Sequence, residues 1–296
     1  MRLATKYFQK VFHQPSAVTN YAIIRFLFFV YLLIILFFTK INWLQFPELF
    51  PYLANQNGLF SFYNFTSAHL ILIFTLTSFF IFLSALAIGG RIILFLSCLG
   101  FFIINSMPQA FNTLVALNTP NTFLILIFLF SPIVSPLFIF NDKSLNSQQN
   151  SNDSSWPIFY GQFIHTFFFF FSAVNKLHVS GISWLNNNNL KYEILCSPFR
   201  RGGDNSAYLI RNFVQDHLIN SDFIFTVFAI IVIILELTAP LALISEKLKK
   251  WIIPILFLFQ VSIYFSLSIN PILSLAGYLF WIDWKSILSF FKKARV

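Results

Sequence analysis

The sequence predicts an all-α fold, a polytopic transmembrane helical bundle of about eight helices with both termini in the cytoplasm. Of its 296 residues, 57% are hydrophobic and only 10% are charged, whereas a soluble domain carries about 25% charged residues. The chain has too little charge to cover its surface in water. Eight apolar segments approach the ~20 residues that an α-helix needs to cross the hydrocarbon core. Residues 1–296 are therefore predicted to form a single integral membrane domain.

The predicted helices are joined by connections of different lengths, of which the outer loop over 178–221 is the longest. Their ranges are 21–39, 68–88, 92–106, 122–140, 157–177, 222–244, 251–269 and 272–290. The third is short for a full crossing, and the eighth is interrupted by Asp283 and Lys285. The polar stretch 141–155 predicts a flexible inner loop.

The loops give an independent indication of orientation, because Lys and Arg collect on the cytoplasmic side of membrane proteins. With the N-terminus inside, the inner segments hold Arg2, Lys6, Lys10, Arg91, Lys143, Lys247, Lys249, Lys250, Lys292, Lys293 and Arg295, and the outer segments hold Lys40, Lys191, Arg200, Arg201 and Arg211. This excess favours two cytoplasmic termini and an even number of crossings. The net charge of +9 then fits contact with anionic lipid and does not predict binding to nucleic acid.

The outer loop contains a stretch, 207–218, with apolar residues on one helical face and polar residues on the other. It predicts a short amphipathic helix on the outer membrane surface. The same pattern also fits a lid over a site.

Five ionisable residues fall at membrane depth: Arg25, His165, Lys176, Glu236 and Asp283. Each is a candidate functional residue, because an unpaired charge in hydrocarbon costs several kcal/mol. At about 1.5 Å per helical residue, all except Lys176 fall near one level. We expect a buried polar layer in which Glu236 pairs with Arg25 or His165. The alternatives are a pair that only fixes helix packing, or an arginine that extends back to the interface.

Lys176 is predicted at the outer mouth of the fifth helix. An ammonium partly removed from water can lose its proton and act as a base or nucleophile. His165 lies three turns below it on the same face, and Gln162 one turn lower. The alternative is a lysine that only anchors the helix end in the interface.

The residues from Gly161 to Trp184 carry a resemblance to a known family. Gly161-Gln162 leads into an aromatic helix, then Ser172-Ala173, then Lys176-Leu177, then Trp184. This order resembles the signature of the HTTM superfamily, which includes vitamin K-dependent γ-glutamyl carboxylase and bacterial relatives. Arg25 early in the first helix and Glu236 in the sixth agree with it loosely. The sequence departs from the carboxylase at Asn175, where that enzyme has a second lysine.

The resemblance implies a membrane enzyme, a carboxylase-like lyase or oxygenase. Lys176 would be the base that deprotonates a reduced quinone such as vitamin K hydroquinone, with His165 as a second catalytic candidate. Gln162, Trp184, Glu236 and Arg25 would line the substrate or cofactor site, and no metal is expected.

The alternative function is a non-catalytic membrane component of a peptide maturation, export or immunity system. Membrane proteins of sporulation-delaying-toxin type operons are similar in length and pattern, which implies a secreted peptide as partner. The expected location is a bacterial inner or plasma membrane. Transport ranks third, because the prolines form no matched set of broken helices.

Overall fold

The computed structural model describes residues 17–45, 66–106, 115–131, 156–185, 191–192, 221–267, 275–284, 286–287 and 290. Within these ranges the chain forms α-helices and short 3-10 helices and no β-strand, which confirms the all-α class for them. The α-helices are α1 (Ala17–Gln45), α2 (Ser67–Ala85), α3 (Gly90–Ser106), α4 (Val115–Phe130), α5 (Trp156–Ser180), α6 (Asp222–Thr238) and α7 (Glu246–Leu267). The 3-10 helices are Gly181–Leu185, Ala239–Leu243 and Leu275–Trp281.

Four helical segments in the described part of the chain are long and apolar enough to cross a membrane. They are Asn20–Phe37, Ala68–Ala85, Trp156–Leu185 and Asp222–Leu243. These segments match the first, second, fifth and sixth predicted crossings and indicate a membrane protein. The apolar helices Gly90–Ile104 and Asn121–Phe130, in the third and fourth predicted crossings, are shorter.

The chain divides into two compact units. Unit 1 comprises Met1–Gln162 and Leu273–Val296, and unit 2 comprises Phe163–Ile272. The prediction of a single membrane domain over 1–296 stays a prediction.

In unit 1, α2 and α3 form a hairpin with a tight turn. Ala87, Gly89 and Gly90 adopt positive φ angles of 57°, 80° and 61°, a conformation that ends a right-handed helix. This turn ends α2 at Ala85, three residues before the predicted end at 88. The N-terminal end of α2 is capped by Thr66 and His69, each side chain accepting from the other residue's backbone N–H.

The aromatic core of unit 1 is centred on Phe128 of α4. Its ring centroid lies 5.5 Å from that of Tyr21, 5.0 Å from Phe28, 5.5 Å from Phe29 and 6.0 Å from Phe280. These rings join α1, α4 and the 3-10 helix Leu275–Trp281. Aromatic pairs at such distances add to the dispersion that holds helices together in lipid, where the hydrophobic effect is absent.

In unit 2, α6 continues into the 3-10 helix Ala239–Leu243 and α7 packs back against both. Pro240 lies at the start of this 3-10 helix, where its missing N–H breaks the α-helical hydrogen-bond pattern. The predicted sixth crossing, 222–244, is therefore α-helical to Thr238 only.

Other predicted helix ends also change. α4 begins at Val115, seven residues before the predicted start at 122, and includes Pro120. α7 begins at Glu246, five residues before 251, because an acidic residue is favourable at a helix N-terminus and Glu246 also pairs with Lys249 at 3.6 Å. Residues 132–140 of the fourth predicted crossing and the predicted amphipathic helix at 207–218 lie outside the described residues, as does the predicted inner loop at 141–155.

The predicted eighth crossing, 272–290, is not one continuous helix. The 3-10 helix ends at Trp281, and the Asp283 carboxylate then accepts hydrogen bonds from the Ser286 hydroxyl at 2.6 Å and the Ser286 backbone N–H at 3.4 Å. Asp283 thus caps a new helical turn. The carboxylate also accepts from Asn20 at 3.1 Å, and it is exposed.

The contact with Asn20 corrects the predicted level of Asp283. Asn20 begins the apolar span of α1, five residues before Arg25, a rise of about 7.5 Å. Asp283 therefore lies near the end of that span and outside the predicted buried layer.

Candidate functional site

In unit 2, the buried faces of α5 and α6 each end in a charged residue, and the two charges are opposite. On α6 the buried residues are Phe225, Ala229, Ile233 and Glu236, a spacing of three to four residues that places them on one face. On α5, Phe169 and Ala173 are buried, and Lys176 follows three residues later on the same face. Each charged side chain therefore occupies a position that helical spacing would assign to an apolar core residue.

Lys176 and Glu236 form a close ion pair. The Lys176 ammonium donates to Glu236 Oε1 at 2.6 Å and to Oε2 at 2.7 Å. The Glu236 side chain is 4% exposed and the Lys176 side chain 25% exposed. The predicted pairing of Glu236 with His165 is wrong, and its predicted pairing with Arg25 of unit 1 stays a prediction. Lys176 takes the place of His165 because it lies three residues beyond Ala173 on the buried face of α5.

The pair also places Lys176 beside the last turns of α6, and its predicted position at the outer mouth of the fifth helix stays a prediction. Glu236 lies fourteen residues after Asp222, about 21 Å along α6, and a contact of 2.6 Å puts the ammonium at the same level. α5 does not end at 177, since it continues to Ser180 and then as a 3-10 helix to Leu185. Lys176 therefore lies within the apolar span Trp156–Leu185.

Ser172 and Trp184 complete the surroundings of the pair. The Ser172 hydroxyl, one turn before Lys176, donates to Glu236 Oε1 at 3.4 Å. The Lys176 ammonium lies 5.0 Å from the centre of the Trp184 ring, within the range of a cation–π contact. Ser172 was not among the predicted site residues, although its spacing of four from Lys176 indicates a shared face.

Gly181 brings the tryptophan to this position. Its φ of 57° is left-handed, the conformation in which helices commonly end on glycine. A Cβ at Gly181 would meet no atom within 4 Å, so backbone conformation rather than space favours glycine here. The chain turns after Gly181 into the 3-10 helix that carries Trp184.

A buried ion pair of this geometry is functionally informative. Removing charges from water is costly, and attraction offsets this cost only when hydrogen bonds are good. Here both carboxylate oxygens face the ammonium, and a hydroxyl donates to one of them. A pair of apolar residues would hold the two helices at least as well, which makes titratable groups at this depth candidates for chemistry.

His165 belongs to the same helix but lies away from the pair. It is buried, and its ring meets that of Phe169 edge-on with centroids 5.4 Å apart. Eleven residues separate it from Lys176, about 16 Å along the helix. The structure therefore does not bring His165 into contact with Lys176.

Gln162 and Gly161 belong to unit 1 and hold the 3-10 helix Leu275–Trp281. The Gln162 amide donates to the Phe280 carbonyl at 2.8 Å. A Cβ at Gly161 would overlap the Phe280 ring. These contacts give the Gly-Gln step a packing role, and its predicted role in ligand binding stays a prediction.

Arg25 also belongs to unit 1. It is 2% exposed and follows Tyr21 by one turn of α1, so the two side chains share a face. Its burial agrees with the prediction that it lies at membrane depth. Its predicted pairing with Glu236, which belongs to unit 2, stays a prediction.

In the described ranges, no group of three His, Cys, Asp or Glu side chains is placed to hold a metal ion. No family model matches the chain, and neither a curated protein nor a solved structure matches it. The resemblance to the HTTM superfamily therefore stays a prediction based on the residues from Gly161 to Trp184.

Proposed function

We propose that the chain is a multi-pass membrane enzyme of the HTTM type that binds a reduced lipid quinone and uses Lys176 as its base. The observation that carries this proposal is the Lys176–Glu236 ion pair within two apolar spans. A quinol that diffuses within the bilayer would therefore reach a titratable side chain without leaving the membrane.

The surroundings of the ammonium suit a quinol. Lys176 is more exposed than Glu236, 25% against 4%, so a ligand can approach the nitrogen while the carboxylate stays enclosed. Trp184 offers an aromatic face at 5.0 Å against which a flat ring could pack. In the reaction, the neutral amine accepts a phenolic proton, giving the quinol anion and the ammonium.

The same proposal includes the finer topology, with eight crossings, both termini in the cytoplasm and a bacterial plasma membrane as location. The distribution of basic residues over the predicted loops supports it. A secreted peptide is the proposed second substrate, in line with the HTTM resemblance.

The second candidate is a non-catalytic component of a peptide maturation, export or immunity system. It is favoured by the bidentate contact itself, because an ion pair that joins α5 to α6 can serve helix packing alone. In that case the protein would need the pair for assembly and would bind no quinol.

Replacing Lys176 separates the two candidates. We expect the purified wild-type protein to retain a quinone that organic extraction releases and to consume oxygen when vitamin K hydroquinone is added. Lys176→Met should lose oxygen consumption by at least about 100-fold, the scale of general-base catalysis. Combining it with Glu236→Gln removes the carboxylate that would otherwise be buried without its partner, so the yield of this double variant in the membrane should be unchanged.

Lys250→Met is the matched control, since Lys250 is exposed in the first turn of α7 and should leave both readouts unchanged. The enzyme proposal fails if wild-type protein shows neither bound quinone nor oxygen consumption. It also fails if Lys176→Met keeps both.

A further inference from the structure

Lys176 can act as a base only after its own proton has left, and the structure indicates where that proton goes. Among the described residues, the ammonium has one hydrogen-bond acceptor side chain, the Glu236 carboxylate. Its other contact is the face of Trp184, which cannot take up a proton.

We infer that Glu236 is the proton acceptor that activates Lys176, so that the two side chains share one proton between Nζ and a carboxylate oxygen. This inference rests on the proposed function for its catalytic meaning. The step conserves charge and atoms: an N–H bond of the ammonium breaks, an O–H bond forms on Glu236, and a neutral amine and a neutral carboxylic acid result.

The geometry permits this transfer without movement of the helices. The distances of 2.6 and 2.7 Å are at or below the lower end for hydrogen bonds between an ammonium and a carboxylate. Either oxygen of Glu236 can accept the proton. Because the carboxylate is 4% exposed, water competes poorly for the same proton.

Two contacts set the balance between the charged and neutral forms. The cation–π contact with Trp184 favours the ammonium, and the hydrogen bond from Ser172 favours the carboxylate. The charged pair is thus held by contacts that a ligand could displace, for example by packing against Trp184.

The elements around the pair carry further ionisable groups in the described ranges. They are His165 and His178 on α5, Asp222 on α6, and Glu246, Lys247, Lys249 and Lys250 at the start of α7. In the described structure Lys176 bonds to none of them. Asp222 instead pairs with Lys191 at 3.6 Å.

The pH dependence of amine reactivity tests the inference without a quinol. Only the neutral amine reacts with an acylating reagent, so a free lysine amine, added as Nα-acetyl-lysine amide, should react roughly tenfold faster per pH unit between about pH 6 and 9. Lys176 in the wild-type protein should react at a nearly constant rate over this range, because internal transfer forms its neutral amine. A small uncharged N-hydroxysuccinimide ester would be the probe, and mass spectrometry would give the rate at Lys176 relative to that of the added free lysine amine.

Glu236→Gln removes the acceptor at equal size. In this variant the reaction of Lys176 should regain a rise of about tenfold per pH unit. Ser172→Ala, which keeps the acceptor but removes the hydrogen bond that favours the carboxylate, should raise the rate about threefold and keep it independent of pH. This second variant provides the test if Glu236→Gln does not fold.

Asn175→Ala is the matched control on α5, since Asn175 is exposed beside Lys176 and the change should alter neither the rate nor its slope. The inference is overturned if Lys176 in the wild-type protein follows the slope of the free lysine amine, if Lys176 is unreactive at every pH, or if Glu236→Gln leaves the slope unchanged. A constant rate together with absent quinol binding would uphold the proton transfer and refute the proposed function.

Discussion

Gly161 lies where a single methyl group would decide the packing of unit 1. A Cβ at this position would overlap the ring of Phe280, and that ring is itself buried against Phe128, with centroids 6.0 Å apart. The next residue, Gln162, donates to the Phe280 carbonyl. Gly161 therefore leaves space for the Phe280 ring, and Gln162 provides a hydrogen-bond donor for the Phe280 backbone carbonyl.

We expect Gly161→Ala to lower the free energy of unfolding by about 1–3 kcal/mol, the usual effect of an overpacked core. Thermal unfolding in a mild detergent, followed through tryptophan fluorescence, would measure the loss. Val174→Ala on the exposed face of the same helix is the control and should change stability by no more than about 0.5 kcal/mol. Equal stability of Gly161→Ala and wild-type protein would show that the ring is not fixed against this glycine.

The sequence identified both members of the ion pair but not their pairing. Lys176 and Glu236 were selected because ionisable residues are rare at membrane depth, and this rarity can be recognised from the sequence alone. Whether their side chains meet depends on where α5 ends and on how far along this helix Lys176 lies. The left-handed Gly181 and the turn after it lie beyond the apolar run by which the helix end was predicted. Trp184 was predicted at the site from the family resemblance, and Ser172 was missed because a lone serine in a membrane helix is common.

At the scale of the helices, small residues bring α2 and α3 together. The hydroxyls of Ser84 and Ser97 lie 2.8 Å apart, and a Cβ at Gly100 would overlap the Thr77 side chain. Small residues let membrane helices approach closely enough for dispersion and hydrogen bonds to hold them. This seam, formed by Thr77 and Ser84 of α2 and by Ser97 and Gly100 of α3, holds the two helices together although α3 is short.

Gly100→Ala should destabilise the hairpin more than Ser97→Ala. The first forces the backbones apart and should cost about 1–3 kcal/mol, whereas loss of one hydrogen bond between membrane helices averages about 0.6 kcal/mol. Unfolding of each purified variant in detergent would give the order.

The double variant Gly100→Ala with Thr77→Ala provides the check, because a smaller residue at 77 relieves part of the overlap. Its loss should be smaller than the sum of the two single losses. If the stability losses of the two single variants simply added in the double variant, a direct contact between Gly100 and Thr77 across the seam would be contradicted.

The helix positions were predictable from apolar length, but several ends were not. α6 changes to a 3-10 helix at Ala239 because of Pro240, and the eighth predicted crossing breaks at Asp283, which caps a new turn. Hydropathy averages over about 20 residues and cannot locate a proline or a cap to within a turn. These local breaks are determined by single residues and their hydrogen bonds.

At the scale of the whole molecule, large apolar side chains cover the surface of the helices. Phe223 is 78% exposed and Leu258 65% exposed, and exposed phenylalanines and isoleucines recur along α2 and α3. Soluble proteins rarely present contiguous apolar surface of this extent. The same surface is favourable in hydrocarbon, provided that every backbone group is bonded within a helix.

The orientation of this surface in the membrane is the last property that we predict. The start of α7, just after the turn that follows the 3-10 helix Ala239–Leu243, carries Lys247, Lys249 and Lys250, and we expect a cluster of this kind on the cytoplasmic side. Trp251, which follows it, is exposed, as expected of a residue at the membrane interface. Because the apolar span Asp222–Leu243 lies between this cluster and Tyr192, we expect the segment around Tyr192 on the outer side.

In intact cells, a membrane-impermeant maleimide should therefore label Tyr192→Cys and leave Glu246→Cys unlabelled until the membrane is permeabilised. Both residues are exposed, so access to the reagent depends on the side of the membrane. Cys196 would be replaced by serine in both proteins. The buried Cys98, whose thiol lies 3.7 Å from the Ile125 carbonyl, can remain. If only Glu246→Cys were labelled in intact cells, the protein would have the opposite orientation to the predicted one. Equal labelling of both variants would refute a membrane crossing between the two positions.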